Sequence, residues 1–153
     1  MTDQRVNVPS WDDTFMGIAE IVSKRSKDPS TQVGACVVSS DNRILSVGYN
    51  GAPRGFSDDD FPWGKHKINP IKNKYPFVVH AERNAILNFR GSLREFENAT
   101  MYVTHFSCNE CAKEIAQVGI SEVVFLNNHN MNGLSEASII IFEKAGISLR
   151  QIV

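Results

Sequence analysis

The chain has 153 residues, 42% of them hydrophobic, which predicts a single domain over residues 1–153 with a core of its own. Its 16 basic and 17 acidic side chains nearly cancel, whereas a protein that grips several phosphates of a nucleic acid usually carries a basic excess, so a small-molecule ligand is favoured. No run of about 18 apolar residues is present, which argues against a membrane span, and residues 1–10 lack the apolar segment of a signal peptide, so we expect a cytoplasmic protein.

The first predicted element is a helix that begins near Ser10 and ends near Ser26. Ser10 followed three residues later by Asp13 resembles a capping box, although the usual acid of that motif is Glu. Apolar residues then repeat at helical spacing as far as Val22. The pattern breaks before Pro29, because the residue that precedes a proline disfavours the helical conformation.

Two strands and a long loop follow this helix. Residues 33–38 and 44–49 predict a hairpin with a loop of about four residues. Residues 50–76 contain four of the six prolines and predict an irregular loop. Loops of that length in a compact domain are usually functional or mobile.

The second half of the chain alternates between helical and strand patterns. Predicted helices cover residues 80–90, 108–118 and 135–145, and predicted strands cover residues 100–104, 123–126 and 147–152. Gly119 and Gly146 stop the second and third of these helices. An opening hairpin followed by alternating helices and strands predicts an α/β protein, with a central mixed five-stranded sheet in a three-layer α/β/α arrangement.

Three side chains in this half have the chemistry of a zinc site: His80, Cys108 and Cys111. Zinc binds imidazole nitrogen and thiolate sulfur, and a catalytic site has three protein ligands with a fourth position for water. Both cysteines fall at a predicted helix start, where the helix dipole favours thiolates. Three cysteines are too few for a disulfide framework, and Cys36, within an apolar run, is expected to be a small buried hydrophobe.

Glu82 indicates that the metal is catalytic. It lies two residues beyond His80, where a carboxylate could reach a water activated by the metal without binding the metal itself. Such a group can take the proton of the water and deliver it to a ring nitrogen and a departing amine. A lone Cys-x-x-Cys would leave a structural zinc site or a redox motif open as alternatives.

The order of these motifs carries a resemblance to a known family. His80-Ala81-Glu82 at one helix start, followed after a strand by Cys108-x-x-Cys111 at another, is similar to the signature of the zinc-dependent cytidine and deoxycytidylate deaminase superfamily. The segments that resemble its deoxycytidylate deaminases are residues 23–29, 32–36, 48–55, 57–59, 75–76, 80–86 and 108–113. This likeness extends from about residue 11 to beyond residue 126.

The resemblance implies a cytidine deaminase-like fold and hydrolytic deamination of free dCMP to dUMP and ammonia, which supplies dUMP for thymidylate synthesis. It implies one catalytic Zn²⁺ per chain, held by His80, Cys108 and Cys111, with Glu82 as the catalytic residue. It further implies a homohexamer that dCTP activates and dTTP inhibits, with Mg²⁺ able to accompany a triphosphate effector.

Substrate-binding roles also come from the resemblance. They fall on Arg25, Ser26, Asn50, Ala81 and Ser107, with Asn50 on the sugar hydroxyl and the carbonyl of Ser107 on the cytosine amine. The family usually has proline where this chain has Ser107. Lys24 lies beside Arg25 and Ser26, and the three could bind the 5′-phosphate, although a solvated basic helix end is an equal alternative.

Effector-binding roles fall on a largely overlapping stretch of the chain: Lys24, Asn50, Gly51, Ala52, Pro53 and Gly55. The glycines would let the backbone approach a nucleotide closely, although an ordinary Gly/Pro loop would read the same. Asn127, Asn128, His129 and Asn130 could cap a phosphate, with a plain polar loop as the alternative.

Two rival functions are consistent with the motifs. One is a deaminase for dCTP, free cytidine or tRNA adenosine. The balanced charge of the chain argues against tRNA as the substrate. The other is a nucleotide-binding sensor on a disabled deaminase scaffold. Ser107, which replaces the usual proline, supports this alternative, whereas the presence of the predicted catalytic residue Glu82 argues against it.

Overall fold

The computed structural model describes residues 3–128 and 133–153, and one five-stranded sheet lies at its centre. The strands are β1 (Gly34–Val38), β2 (Ile44–Tyr49), β3 (Thr100–His105), β4 (Glu122–Asn127) and β5 (Ser148–Gln151). They lie in the order β2-β1-β3-β4-β5, and β1 runs antiparallel to both of its neighbours, whereas β3, β4 and β5 are parallel. The predicted mixed five-stranded sheet is confirmed.

Helices cover both faces of this sheet. They are α1 (Trp11–Ser23), α2 (Ala81–Asn88), α3 (Asn109–Gln117) and α4 (Ser135–Lys144), with short 3₁₀ turns at Pro70–Lys72 and Leu93–Phe96. Helix α1 packs on one face, and α2, α3 and α4 pack on the other, which gives the predicted α/β/α layers. In the described ranges, no helix combines the length and the apolar character that crossing a bilayer requires.

The two-residue period of β1 divides its side chains between two cores. Ala35 and Val37 belong to the core under α2 and α3, whereas Cys36 and Val38 pack with α1. All five residues of the strand are buried, as expected for a strand covered on both faces. Cys36 has no exposed surface, and its burial raises its pKa to about 12, which fits the predicted small hydrophobe.

Helix α1 begins where the sequence predicted and ends earlier. The Oγ of Ser10 accepts a hydrogen bond from the backbone N–H of Asp13 at 3.0 Å, so Ser10 is the N-cap. The helix ends at Ser23 because the next three N–H groups bond to carbonyls three residues back instead of four. Lys24, Arg25 and Ser26 therefore form a tight turn after the helix.

The long loop between β2 and α2 is held at both ends and by its own aromatic side chains. Gly51 and Val79 exchange two backbone hydrogen bonds of 3.0 and 2.9 Å. Phe61 is buried and contacts the rings of Phe56, Trp63 and Phe77. Phe61 and Trp63 are thus packing groups of this loop.

Several chain segments meet at one edge of the sheet. Parallel strands end at the same edge, and there the chain passes from β3 into α3 through residues 106–108. Because β2 is antiparallel to β1, its carboxyl end at Tyr49 pairs with Gly34, which places Asn50 at the same edge. This edge brings together six of the residues predicted from separate parts of the sequence: Asn50, His80, Ala81, Glu82, Ser107 and Cys108.

Candidate active site and metal centre

The three predicted metal ligands lie at the N-terminal ends of two helices. His80 is the N-cap residue of α2, and Cys108 is the N-cap residue of α3, with its sulfur 3.5 Å from the backbone nitrogen of Cys111. Both helix dipoles therefore point their positive ends toward the cluster and favour thiolates in it.

The ligand atoms have the separations that a tetrahedral zinc site requires. His80 Nδ1 lies 3.4 Å from the sulfur of Cys108 and 3.4 Å from the sulfur of Cys111, and all three atoms lie within 4.8 Å of one another. Zinc bonds of ~2.05 Å to nitrogen and ~2.3 Å to sulfur at tetrahedral angles place the two ligand atoms about 3.6 Å apart. One imidazole and two thiols thus fit zinc and leave its fourth position open.

The pKa shifts of these groups reflect their mutual contacts. Hydrogen bonds from Cys111 and His80 lower the pKa of Cys108 to about 3. The pKa of Cys111 is raised, first because its thiol donates to Cys108 and second because it is buried. The pKa of His80 is raised chiefly by its hydrogen bond to Cys108. These contacts favour the thiolate form of Cys108.

Glu82 lies in the first turn of α2, beside the cluster. It is 5% exposed, and burial raises the pKa of its carboxyl group. A buried carboxyl group with a raised pKa is suited to taking up and releasing a proton near neutral pH. The carboxylate lines the same cavity as His80 and Cys108.

Two contacts fix α2 relative to the rest of the site. Arg83 Nε donates to the carboxylate of Glu114 at 2.8 Å, which ties α2 to α3 and so joins the two ligand-bearing helices. Helix α2 also lies directly against β2 at Gly48, where an added Cβ would lie 2.3 Å from the backbone nitrogen of Ala85. Glycine is required at this close approach.

A cavity of about 340 Å³ opens beside the cluster. Its size is within the usual range for small-molecule sites. Of the predicted residues, it is lined by His80, Ala81, Glu82, Cys108, Asn50 and Ser107. Sequence reasoning missed further lining residues, among them Asp28, Lys65, Lys74, Tyr75 and His105. Asp28 and Tyr75 fall within segments of family resemblance, whereas Lys65 and Lys74 gave no signal of their own.

Asn50 lies in the cavity wall at the centre of a hydrogen-bond network. Its side-chain oxygen accepts from the N–H of Val33 at 2.8 Å, and its amide donates to the carbonyl of Thr31 at 2.9 Å and toward Asp28 at 3.5 Å. Asp28 in turn pairs with Lys74. The network holds the turn before β1 in register with the end of β2.

The predicted phosphate ligands lie elsewhere. Arg25 lines a second cavity and not the one beside the cluster. The hydroxyl of Ser26 donates to the carbonyl of Asn50 at 2.8 Å, and Lys24 is an exposed residue of the turn after α1. Asn127 is the last residue of β4, whereas His129 and Asn130 lie outside the described residues.

The second cavity has a volume of about 530 Å³ and shares no lining residue with the first. It includes Gly51, Ala52 and Pro53 of the predicted effector set; Asn50, in contrast, lines the first cavity. Its charged lining residues are Arg25, Lys27, Arg54 and Asp58, of which Lys27 and Asp58 pair with each other, so the two arginines leave it basic. Trp63 offers an aromatic face. Gly55, with φ of 104°, occupies the left-handed backbone region that favours glycine, in the turn that follows Pro53.

Comparison with known proteins supports a family assignment. The family described as the cytidine and deoxycytidylate deaminase zinc-binding region matches residues 9–127. The chain is 44% identical to a deoxycytidylate deaminase of Homo sapiens over 144 residues, which covers 94% of this chain and 80% of the relative. It is 54% identical to a probable deoxycytidylate deaminase of Drosophila melanogaster over 123 residues, 77% of this chain and 60% of that one.

A solved structure agrees with this likeness. The dCMP deaminase of the cyanophage S-TIM5, in complex with dCMP and dUMP, superposes with a TM-score of 0.73 at 28% identity. The match covers 95% of this chain and 98% of the cyanophage chain. The similarity thus extends over the whole fold described above.

Proposed function

This chain belongs to the cytidine and deoxycytidylate deaminase family, and from that membership we propose that it hydrolyses dCMP to dUMP and ammonia. The observation that carries the proposal is a buried carboxylate, Glu82, beside a His-Cys-Cys cluster at the wall of a cavity. The substrate is inferred from the likeness to deoxycytidylate deaminases along 94% of the chain. The product dUMP would supply thymidylate synthesis.

The residues of the cavity can carry each proton transfer of this reaction. Zinc, held by His80, Cys108 and Cys111, would supply the Lewis acidity that makes water a nucleophile near neutral pH. Glu82 takes one proton from the attacking water and delivers it to ring nitrogen N3 as the oxygen bonds to carbon C4. Glu82 then transfers the second proton to the amine, which leaves as ammonia when the bond to C4 breaks.

The base is recognised next to these groups. We assign the carbonyl of Ser107 to the cytosine amine and the backbone of Ala81 to the base, since both residues adjoin metal ligands in sequence and line the cavity. Asn50 lines the same cavity and is assigned to the sugar hydroxyl. Its amide already bonds to Thr31, so Asn50 would meet the sugar from a fixed position.

The 5′-phosphate needs a cation, and two sets of residues can supply one. Arg25, with Lys24 and Ser26, is the set that the sequence predicts. Lys65 belongs to the set that lines the first cavity, where its exposed ammonium could reach a dianion. The variants Lys65→Ala and Arg25→Ala show which set binds the phosphate. The variant that has lost the phosphate ligand should have a raised KM for dCMP and an unchanged KM for deoxycytidine, which has no phosphate.

We also propose that dCTP activates and dTTP inhibits the enzyme through the second cavity. Its basic and aromatic lining suits a nucleotide, and Mg²⁺ could accompany the triphosphate. Gly51 in this cavity bonds to Val79, the residue before His80, so a ligand there has a short route to the metal ligands. Arg54→Ala should raise the dCTP concentration needed for half-maximal activation about tenfold or more, since a charge-assisted contact is lost.

A homohexamer in the cytoplasm is proposed on the family resemblance. Sedimentation equilibrium of the purified protein, with and without dCTP, tests the oligomer directly. A mass of one or two chains at micromolar concentration would contradict it.

The proposed function is tested by ammonia release from dCMP, with zinc content measured on the same sample. Wild-type protein should release ammonia and dUMP, and Glu82→Gln should retain zinc and lose activity. Zinc retention with nucleotide binding but no ammonia release from wild type would favour the rival, a nucleotide sensor. Equal activity of Glu82→Gln and wild type would remove Glu82 from the mechanism.

A further inference from the structure

The side-chain hydroxyl of Ser107 is a buried polar group without a partner. Ser107 has no exposed surface, and its Oγ forms no hydrogen bond with any residue that the structure describes. Ser138 has the one other buried side-chain oxygen or nitrogen of this kind in the described ranges. Buried hydroxyls are normally bonded, and an unbonded one costs free energy, so each exception needs a physical reason.

The location of Ser107 supplies a reason. It lies between β3 and α3, directly before the metal ligand Cys108, and it lines the same cavity as Glu82. Glu82 lies two residues after His80 in the first turn of α2, and His80 Nδ1 is 3.4 Å from the sulfur of Cys108, so Ser107 and Glu82 adjoin the same cluster from two helix starts. A buried hydroxyl without a partner and a buried carboxylate therefore lie at the wall of one cavity.

We propose that Ser107 is a positioning residue whose Oγ–H donates a hydrogen bond to the Glu82 carboxylate and fixes its orientation for proton transfer. A hydroxyl proton rotates freely about its C–O bond, so donation requires only a small approach of the two side chains. Ser107 thus contributes through its side chain as well as through the carbonyl assigned to the base. This inference rests on the proposed function, because the orientation of Glu82 matters only if Glu82 transfers protons.

Ser107→Ala and Ser138→Ala form a matched pair for the test. Each removes one buried, unbonded oxygen, but Ser138 lies on α4 and does not line the cavity. For Ser107→Ala we expect kcat for dCMP to fall about tenfold, the usual effect of one lost hydrogen bond, with KM within about twofold and zinc content unchanged. For Ser138→Ala we expect wild-type kcat and KM.

Two further variants separate hydrogen bonding from packing. Ser107→Gly lacks the hydroxyl and has a different volume from alanine, so it should show the same fall in kcat. Ser107→Thr keeps the hydroxyl and should recover kcat to within about threefold of wild type. Wild-type kcat in Ser107→Ala, or a fall in kcat that accompanies loss of zinc, would overturn the positioning role. Absence of ammonia release from wild-type protein would overturn the proposed function itself, and this inference with it.

Discussion

The ammonium of Lys74 lies 2.6 Å from the carboxylate of Asp28, and these two side chains are 7% and 2% exposed. The Asp28 carboxylate also accepts hydrogen bonds from the backbone N–H groups of Ser30 and Thr31, at 2.8 and 3.2 Å. The pair joins the end of the long loop to the turn before β1 at the wall of the first cavity. The cavity wall therefore depends on a buried ion pair that no local sequence pattern indicated.

Lys74→Met should destabilise the protein by about 3–5 kcal/mol, because Asp28 is left as a buried charge without its counter-ion. Urea unfolding measures the change. Lys27→Met is the control, since Lys27 pairs with Asp58 at the surface and such pairs contribute about 0–1 kcal/mol. Similar losses for the two variants would show that water reaches the Asp28–Lys74 pair.

Cys108→Ser should remove most of the zinc. Loss of a direct ligand should weaken zinc binding by more than the roughly 10–100-fold that loss of an outer-shell partner costs. Zinc per chain after dialysis, measured by atomic absorption, checks this. Cys36→Ala should keep the wild-type zinc content, since Cys36 is buried against α1 on the other face of the sheet.

Gly48→Ala should weaken both the fold and the metal site. Its Cβ would lie 2.3 and 2.5 Å from backbone atoms of α2, so the helix that follows His80 must move away from β2. We expect about 1–3 kcal/mol of destabilisation, as for other overpacked sites, with reduced zinc affinity.

Gly17→Ala is the control for that change. Gly17 lies in α1 with open space around the position of its Cβ. Alanine is favoured over glycine within helices, so Gly17→Ala should stabilise the protein by about 0.5–1 kcal/mol. Chemical unfolding and zinc content should be measured for both variants. Equal changes in the free energy of unfolding for Gly48→Ala and Gly17→Ala would contradict the close approach at Gly48.

The loss of folding stability at acidic pH should depend on Asp12. Its carboxylate accepts hydrogen bonds from Arg150 at 2.8 and 3.0 Å, and Arg150, followed by Tyr102, lowers the pKa of Asp12 below 3.8. A carboxyl group whose pKa is lower in the folded state than in the unfolded state stabilises the protein at pH values above its unfolded-state pKa. This stabilisation is lost as the pH falls through the folded-state pKa. Asp12→Asn should therefore be less stable than wild type at neutral pH, and the difference should shrink as pH falls below 3.8.

Thermal unfolding of both proteins between about pH 2 and pH 7 measures this dependence. Asp13→Asn is the matched control, because Asp13 lies in the same first turn of α1 and forms no ion pair with any described residue. If the stability difference between wild type and Asp12→Asn stayed constant over this pH range, the Asp12 carboxylate would have no role in the loss of stability at acidic pH.

Local patterns were sufficient for most of the fold. The hairpin, the alternation that follows it and the glycines after α3 and α4 depend on neighbours in sequence, so the predicted elements differ from the observed ones by a few residues. The turn Lys24–Ser26 was included in α1 because the sequence does not show where hydrogen bonds shift from four residues to three. The 3₁₀ turn Leu93–Phe96 was missed, since it lacks a helical apolar period.

The metal cluster belongs to what the sequence determined by itself. Its chemistry follows from residue types, so the sequence alone indicated His80, Cys108 and Cys111 as a candidate group of metal ligands. The sheet then brings together the two helix starts that carry them, so that the ligand atoms lie within 4.8 Å of one another. Only the tertiary structure decided which other residues share their cavity. Asp28, Lys65 and Lys74 reach it, and Arg25 does not, because sheet pairing and the path of a long loop bring distant segments to one edge, and neither follows from local spacing.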